Sequence, residues 1–232
     1  QSTATYTRTI PSSGKKVKFR PFLVREEKAL LLAQQSEELD VMIETLKNII
    51  STCVQDKIDV EDLAVFDIEY MFTQIRAKSI GEFSNLIFTC AHCDNENNKV
   101  RLEIDLTKIP IIKDPNHTNK IELFDDVGVL MKYPTIEVMS KLEKADQDDL
   151  DNIFEIIASC IDIIYEGDKL HYAKEAKKAE LLEFLYNLSS EQFVKVQNFF
   201  ATMPRIKKEV EYDCPICGLH HHKVLEGMQS FF

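Results

Sequence analysis

The segments FTCAHC (residues 88–93) and YDCPIC (residues 212–217) share one pattern, in which an aromatic residue stands two positions before a C-x-x-C pair. A polar turn follows each pair. A strand-like run then opens with a valine at the same offset from the second cysteine, Val100 in one copy and Val224 in the other. A repeated strand, thiol pair, turn and strand is typical of a zinc ribbon, in which two knuckles supply four sulfurs to one tetrahedral ion. The repeat therefore predicts one structural Zn²⁺ per chain, bound by Cys90, Cys93, Cys214 and Cys217.

Three other uses of these cysteines stay open at this point. Thiol redox chemistry would need the first cysteine at a helix N-terminus, whereas each pair here precedes a turn and a strand. A disulfide pairing would suit a protein that works outside a cell. The run His220, His221 and His222 raises the idea of a catalytic zinc or of a histidine replacing one thiolate, but four sulfurs leave no open position. We expect these histidines to lie on the surface or in the knuckle turn, and His92 to face solvent.

Composition narrows the class of protein. The 232 residues are 44% apolar, which is enough for one large domain or two small ones with a real core. No apolar run approaches the roughly 20 residues that cross a bilayer, and the polar N-terminal segment does not resemble a signal peptide. We therefore expect no membrane association and synthesis in a cytoplasm, where thiols stay reduced and spaced cysteine pairs usually bind metal.

The charge of the chain argues against nucleic acid as a partner. The formal net charge is −11, and the basic clusters are short. Binding to phosphate backbones needs many clustered lysines and arginines, which this chain lacks. The chain has 6 glycines and no glycine-rich phosphate loop, so nothing indicates a nucleotide or another small-molecule substrate. The pattern favours a protein that is not an enzyme.

Hydrophobic periodicity predicts an α+β fold, mostly helical, with a small antiparallel zinc-ribbon-like β module closed by the two distant C-x-x-C knuckles. About 120 residues separate the knuckles, against roughly 15–20 in a compact ribbon. The expected metal is therefore a long-range staple. We divide the chain into an extended N-terminal arm (1–18), an N-terminal helical region (19–85), the first knuckle and strands (86–129), a helical lobe (130–203), and the second knuckle with a C-terminal tail (204–232).

Several local signals predict individual helices. Residues 21–54 carry an apolar stripe that fits one long helix or two with a break near Ser36. Asp67 is a candidate N-cap for the next helix. In the lobe, we expect one helix to begin at an Asp146 cap and to run through Ile161 and Ile164 until Gly167. Ser189 and Gln192 form a capping box for another helix, which should stop before Pro204.

Four segments resemble the small baseplate proteins of T-even-like contractile-tailed bacteriophages. They are KFRPFLVREEKALL (18–31), IRAKSIGE (75–82), MKYPT (131–135) and LEGMQSFF (225–232). The resemblance extends over roughly residues 18–232, and the two knuckles stand where it places them. None of these motifs encodes a reaction.

The resemblance implies a structural or assembly component of the baseplate hub. Such a protein would be made in the host cytoplasm, would bind other baseplate or hub proteins, and could remain in the virion tail or leave after assembly. The alternative from the residues alone is a zinc-ribbon adaptor that binds nucleic acid or another host or viral protein. We also expect residues 227–232, which end in Phe231 and Phe232, either to be core or to dock onto a neighbouring subunit.

Overall fold

The structure is a computed structural model, and it describes residues 4–93, 96–144 and 149–232, with the side chains of 142–144 left out. These residues form two compact units. Unit 1 combines the chain up to residue 112 with residues 205–232, and unit 2 spans 113–204. Helix accounts for 43% and strand for 28%, which confirms the α+β prediction. The finer five-segment division stays a prediction.

The strands and helices follow one another in an order that returns the chain to unit 1 at its end. The strands are β1 (Tyr6–Thr9), β2 (Lys16–Phe19), β3 (Phe83–Thr89), β4 (Lys99–Asp105), β5 (Ile111–Ile112), β6 (Lys120–Phe124), β7 (Val127–Met131), β8 (Ile161–Glu166), β9 (Lys169–Tyr172), β10 (Arg205–Asp213) and β11 (His220–Glu226). The helices are α1 (Val24–Ser36), α2 (Leu39–Cys53), α3 (Val65–Ser79), α4 (Ile136–Lys144), α5 (Leu150–Ser159), α6 (Lys178–Tyr186) and α7 (Ser190–Thr202). No helix formed by the described residues is both long and apolar enough to cross a membrane.

The core of unit 1 contains side chains from both segments of the chain that form this unit. Ile104 and Leu106 from the first half meet Ile206, Leu225 and Phe231 from the second in one apolar cluster. Burial of such side chains contributes roughly 1.5–3 kcal/mol each. Unit 1 thus has a hydrophobic core of its own, and the cysteine-bearing hairpins β3–β4 and β10–β11 contribute side chains to it.

The helices at the start of unit 1 follow the apolar stripe. The predicted break near Ser36 is confirmed, because α1 ends there and Glu37 adopts a left-handed conformation with φ 57°. Helix α2 buries Ile43, Leu46 and Ile50 at helical spacing. Two helices rather than one long helix therefore form the apolar layer of this region.

The segment predicted as an extended arm is a β-hairpin. Strands β1 and β2 pair antiparallel from Tyr6↔Phe19 to Thr9↔Lys16. Ile10, Val17 and Phe19 are almost fully buried. The described part of the segment is therefore packed into unit 1, as neither a tail nor a free strand would be.

Helix α3 begins at Val65, three residues earlier than an Asp67 cap would allow. The backbone N–H groups of Ala64 and Ser12 donate to the Asp67 carboxylate, each at 2.9 Å, and the Ser12 hydroxyl donates at 2.5 Å. Burial raises the pKa of this carboxyl, although the hydrogen bonds oppose the shift. Asp67 lies in the first turn, so the predicted cap was wrong, and the side chain instead joins α3 to the turn after β1.

Unit 2 is an antiparallel sheet covered by helices. Its strand order is β6-β7-β8-β9. Val129 and Ile161 from the sheet pack with Ile157, Val196 and Phe199 from the helices. The capping box at Ser189 is confirmed, since the Gln192 N–H donates to the Ser189 hydroxyl at 3.1 Å and the Ser189 N–H donates to the Gln192 side chain at 2.9 Å.

The helix predicted through Ile164 was wrong beyond Ser159. Helix α5 begins after Asp149, whose carboxylate accepts from the Asn152 N–H at 3.1 Å, while the predicted Asp146 cap lies outside the described residues. The chain then turns into β8, which suits the β-branched residues from Ile161 onward. Gly167, expected to stop a helix, sits at φ 59° in the two-residue turn that joins β8 to β9. The lobe is therefore not purely helical.

The C-terminal residues form part of the core. Phe231 is completely buried, and its carbonyl accepts a hydrogen bond from the Ser84 hydroxyl at 2.6 Å. Phe232 is 43% exposed, with the Arg76 guanidinium 4.1 Å from its ring centre. Phe231 is therefore a core residue. The prediction that it docks onto a neighbouring subunit was wrong, because a side chain without exposed surface cannot anchor a partner.

Candidate metal centre

Two antiparallel hairpins of unit 1 present the cysteine pairs. Strands β3 and β4 pair from Phe83↔Asp105 to Thr89↔Lys99, and Cys90 follows at once. Strands β10 and β11 pair from Lys207↔Glu226 to Asp213↔His220, and Cys214 follows at once. Each pair of thiols thus sits at the tip of a hairpin whose register is fixed by seven residue pairs.

The two tips bring all four predicted cysteines together. Cys90 Sγ lies 3.8 Å from Cys217 Sγ, and Cys93 Sγ lies 3.6 Å from Cys214 Sγ. The four sulfurs lie within 4.8 Å of one another, and all four cysteines are free rather than disulfide-bonded. A tetrahedron with metal–sulfur bonds of about 2.3 Å has edges of about 3.8 Å, whereas a disulfide would need about 2.05 Å. The cluster can therefore hold one metal ion.

An asparagine side chain closes the first knuckle. The Asn98 amide donates to the Cys90 carbonyl at 2.7 Å and to the Cys93 carbonyl at 2.8 Å. Asn98 is only 8% exposed. Its amide holds the two carbonyls of the turn in place, a role that the sequence did not reveal because Asn98 ends a run of polar residues.

Backbone hydrogen bonds close the second knuckle. The Cys214 N–H donates to the Leu219 carbonyl at 2.9 Å, and the Gly218 N–H donates to the Cys214 carbonyl at 3.0 Å. Gly218 adopts φ 76°, a left-handed conformation that favours glycine. The tight C-P-I-C-G turn thus needs no side-chain brace.

The thiols of the cluster differ in acidity. Backbone N–H groups of Cys217 and Ile216 lower the pKa of the Cys214 thiol to about 6. Loss of hydration, followed by hydrogen bonds with the three other thiols, raises the pKa of Cys93 to about 12. Four thiolates cannot gather without a compensating cation, so binding of a metal ion to this cluster must release protons.

Aromatic rings form one wall of the cluster. Phe88 and Tyr212, the residues two positions before each cysteine pair, stack with ring centres 5.3 Å apart. His221 also stacks with Tyr212, with ring centres 4.9 Å apart. The shared aromatic position of the sequence repeat is therefore where the two hairpins meet.

The repeat aligns differently in space than it does along the chain. Val100 pairs with Phe88 across the first hairpin, but His221, and not Val224, pairs with Tyr212 across the second. The loop of the first knuckle is longer, so an equal offset from the cysteine does not mark the same register. The second strand also begins at His220, earlier than the predicted opening at Val224.

Among the described residues, His92, His220 and the two other cysteines do not belong to the group that could hold a metal ion. His92 is exposed, and His220 lies on the outer face of the second hairpin, where the Asp213 carboxylate at 2.7 Å raises its pKa. Cys53 and Cys160 are almost fully buried, and burial raises the pKa of each thiol to about 11. Such thiols are poor ligands and nucleophiles, and both side chains are part of the core.

Comparison with known proteins gives two matches. Residues 3–232 match the family described as T4 bacteriophage base plate protein. The chain is also 25% identical over 221 residues to the baseplate hub assembly protein gp26 of Enterobacteria phage T4, covering 94% of this chain and 93% of that protein. No solved structure matches the chain.

Proposed function

Because the chain belongs to the T4 bacteriophage base plate protein family, we propose that it is a non-catalytic component acting in assembly of the hub of a phage baseplate. The observation that carries the proposal is the family match over residues 3–232. The relative in phage T4 is named for hub assembly and is similar over nearly its whole length. The partners of this chain would be other baseplate and hub proteins, met in the host cytoplasm.

The metal in this proposal is one structural Zn²⁺ on Cys90, Cys93, Cys214 and Cys217. Sulfur separations of 3.6 and 3.8 Å fit a four-thiolate tetrahedron, which is the geometry of structural zinc sites in proteins. A closed site leaves no position for substrate. Bound zinc would supply no chemistry other than holding the two hairpins together, which suits a protein that organises others.

The assembly proposal is tested by quantitative mass spectrometry of the phage that encodes this chain. Assembly intermediates from infected cells and purified mature particles are compared with and without a Cys90→Ser substitution. We expect the wild-type chain in complexes with hub proteins, and we expect the variant to deplete those complexes. The matched control is His92→Ala, an exposed residue of the same knuckle, which should leave them unchanged.

The same experiment separates two forms of the proposal. Presence in intermediates alone marks a factor that leaves after assembly, and fixed stoichiometry in mature particles marks a retained subunit. Absence of the chain from both fractions would contradict a baseplate role.

A further inference from the structure

One of the three consecutive histidines at 220–222, which were expected at the surface, points into the cluster of thiols. His221 Nε2 lies 3.1 Å from Cys90 Sγ. His221 is half-buried, while His220 and His222 on either side are exposed on the opposite face of β11. Strand geometry explains the difference, because successive side chains alternate between faces.

The separation of 3.1 Å limits the interactions that His221 can make with Cys90. Four sulfurs already occupy the corners of a tetrahedron, so the imidazole has no coordination position left in that site. A neutral imidazole carries a proton on one of its two nitrogens. A zinc-bound Cys90 thiolate has no proton to donate, so a bare nitrogen lone pair facing it at this distance would be repelled, whereas an N–H group would be attracted.

We propose that His221 donates its Nε2–H to the Cys90 thiolate and so acts as a positioning residue of the metal centre. The inference rests on the proposed zinc site. Four thiolates around Zn²⁺ carry a net charge of −2, and a charge-assisted hydrogen bond to one of them stabilises that charge. Outer-shell donors of this kind orient ligands and strengthen metal binding.

The contact also joins the two hairpins. Cys90 belongs to the first hairpin and His221 to the second, and the ring is held in orientation by its stack on Tyr212 at an interplanar angle of 19°. In the first hairpin the position paired with Phe88 is Val100, which has no donor, and the Asn98 amide lies 3.9 Å from Cys93 Sγ of its own hairpin. The metal centre is therefore asymmetric, and Cys90 is the thiolate that the partner hairpin protects.

The test uses two phenylalanine substitutions in neighbouring positions. His221→Phe keeps an aromatic ring for the Tyr212 stack and removes the N–H group, while His222→Phe alters an exposed position. Zinc affinity and release are measured by competition with a chromophoric chelator, and Co²⁺ absorption reports the ligand set. We expect His221→Phe to weaken zinc binding about 10–100-fold. We expect His222→Phe to match wild type, and both variants to keep a four-sulfur Co²⁺ spectrum.

A second measurement needs no variant, so it holds even if His221→Phe fails to fold. Nitrogen NMR of the zinc-bound wild-type chain should show the proton of His221 on Nε2. A proton on Nδ1 alone would show that Nε2 does not donate, and a Co²⁺ spectrum that changes with His221→Phe would identify His221 as a ligand; either result would overturn the proposal. Unchanged zinc affinity in His221→Phe would also overturn it. A wild-type chain that binds no metal would refute the zinc site itself, which is a distinguishable failure.

Discussion

The two cysteine hairpins of unit 1 have the same chemistry at their tips and different ways of holding it. In the first, a longer loop is closed by the buried Asn98 amide, which donates to two knuckle carbonyls. In the second, a tight turn is closed by backbone hydrogen bonds and by the left-handed conformation of Gly218. A metal site requires the thiols at defined positions, and these two turns reach that geometry with different residues.

The hairpins also differ in how the chain reaches them. The first follows α3 directly, whereas the second follows unit 2, and about 120 residues separate the cysteine pairs. Closing so long a loop carries an entropic cost in folding. A metal ion that binds both tips would stabilise the native arrangement of unit 1 against the unfolded chain.

The largest expected effect comes from breaking either tip. Cys90→Ser and Cys214→Ser should each abolish stoichiometric metal binding and lower the free energy of unfolding of unit 1 by several kcal/mol. For comparison, zinc-finger peptides bind zinc with roughly 10–16 kcal/mol. Urea unfolding followed by circular dichroism measures the loss. Nearly equal losses are expected because both tips contribute two sulfurs. If either variant unfolded like wild type, a metal bound at both tips would not stabilise unit 1.

The next effect separates the hydrophobic core from the metal. Phe231→Ala should cost about 3–5 kcal/mol, because it empties a fully buried position between the hairpins and the rest of unit 1. Phe232→Ala is the matched control and should cost less, since that ring is 43% exposed. Both are measured by urea unfolding with metal saturated. Equal costs would show that the tail is not core.

The comparison of the two turns is tested by one substitution in each. Asn98→Ala should destabilise unit 1 by about 1–3 kcal/mol, because the carbonyls of Cys90 and Cys93 lose their buried donor. Asn85→Ala, on the exposed face of β3, is the control and should have little effect. Thermal unfolding measures both. If the two variants were equally stable, Asn98 would not be what holds the first turn in place.

In the second turn, Gly218→Ala should cost about 1–2 kcal/mol, since a side chain is strained at φ 76°. Gly218→Asn should recover part of that loss, because asparagine tolerates the left-handed region better than alanine. Thermal unfolding of the three proteins measures the order. A Gly218→Ala protein as stable as wild type would show that this turn does not depend on glycine.

The smallest effect lies outside both hairpins, in unit 2. His117 Nδ1 lies 2.8 Å from the Thr202 hydroxyl, which donates onward to the Asn198 carbonyl, and His117 Nε2 lies 2.9 Å from the Tyr133 hydroxyl. This network fits a neutral ring that donates from Nδ1. Burial, then nearby Lys113, lowers the pKa of His117 from 6.5, although Asp114 opposes the shift.

A lowered pKa in the folded state means that the unfolded chain binds more protons. The His117 contribution to stability is therefore complete above about pH 6.5 and declines as the pH falls toward the lowered folded value. His117→Asn should flatten the pH dependence of thermal unfolding between about pH 7.5 and 5.5. The difference between wild type and variant isolates His117 from acid loss of metal, which both proteins share. Identical pH profiles would contradict this assignment.

The clustering of the four thiols could be predicted from the sequence, whereas most of the residues around them could not. Cysteine spacing and flanking aromatics are local signals, and they correctly predicted that Cys90, Cys93, Cys214 and Cys217 come together. The roles of Asn98 and His221 depend on strand register across each hairpin, which an offset along the chain does not determine.

The helical errors have similar causes. Ile161 and Ile164 fit a helical stripe, but β-branched residues followed by a Gly-Asp turn form a hairpin once β7 offers a strand to pair with. Asp67 has the side chain of a cap, yet it lies in the first turn, where its carboxylate accepts a hydrogen bond from the distant Ser12 N–H. In both cases a contact distant in sequence decided the local structure.

The most direct test of the central claim is metal analysis of the purified chain combined with X-ray absorption at the zinc edge. We expect one zinc per chain, surrounded by four sulfurs at about 2.3 Å. A fully folded chain that contains no metal, or one in which Cys90, Cys93, Cys214 and Cys217 form disulfides, would contradict it.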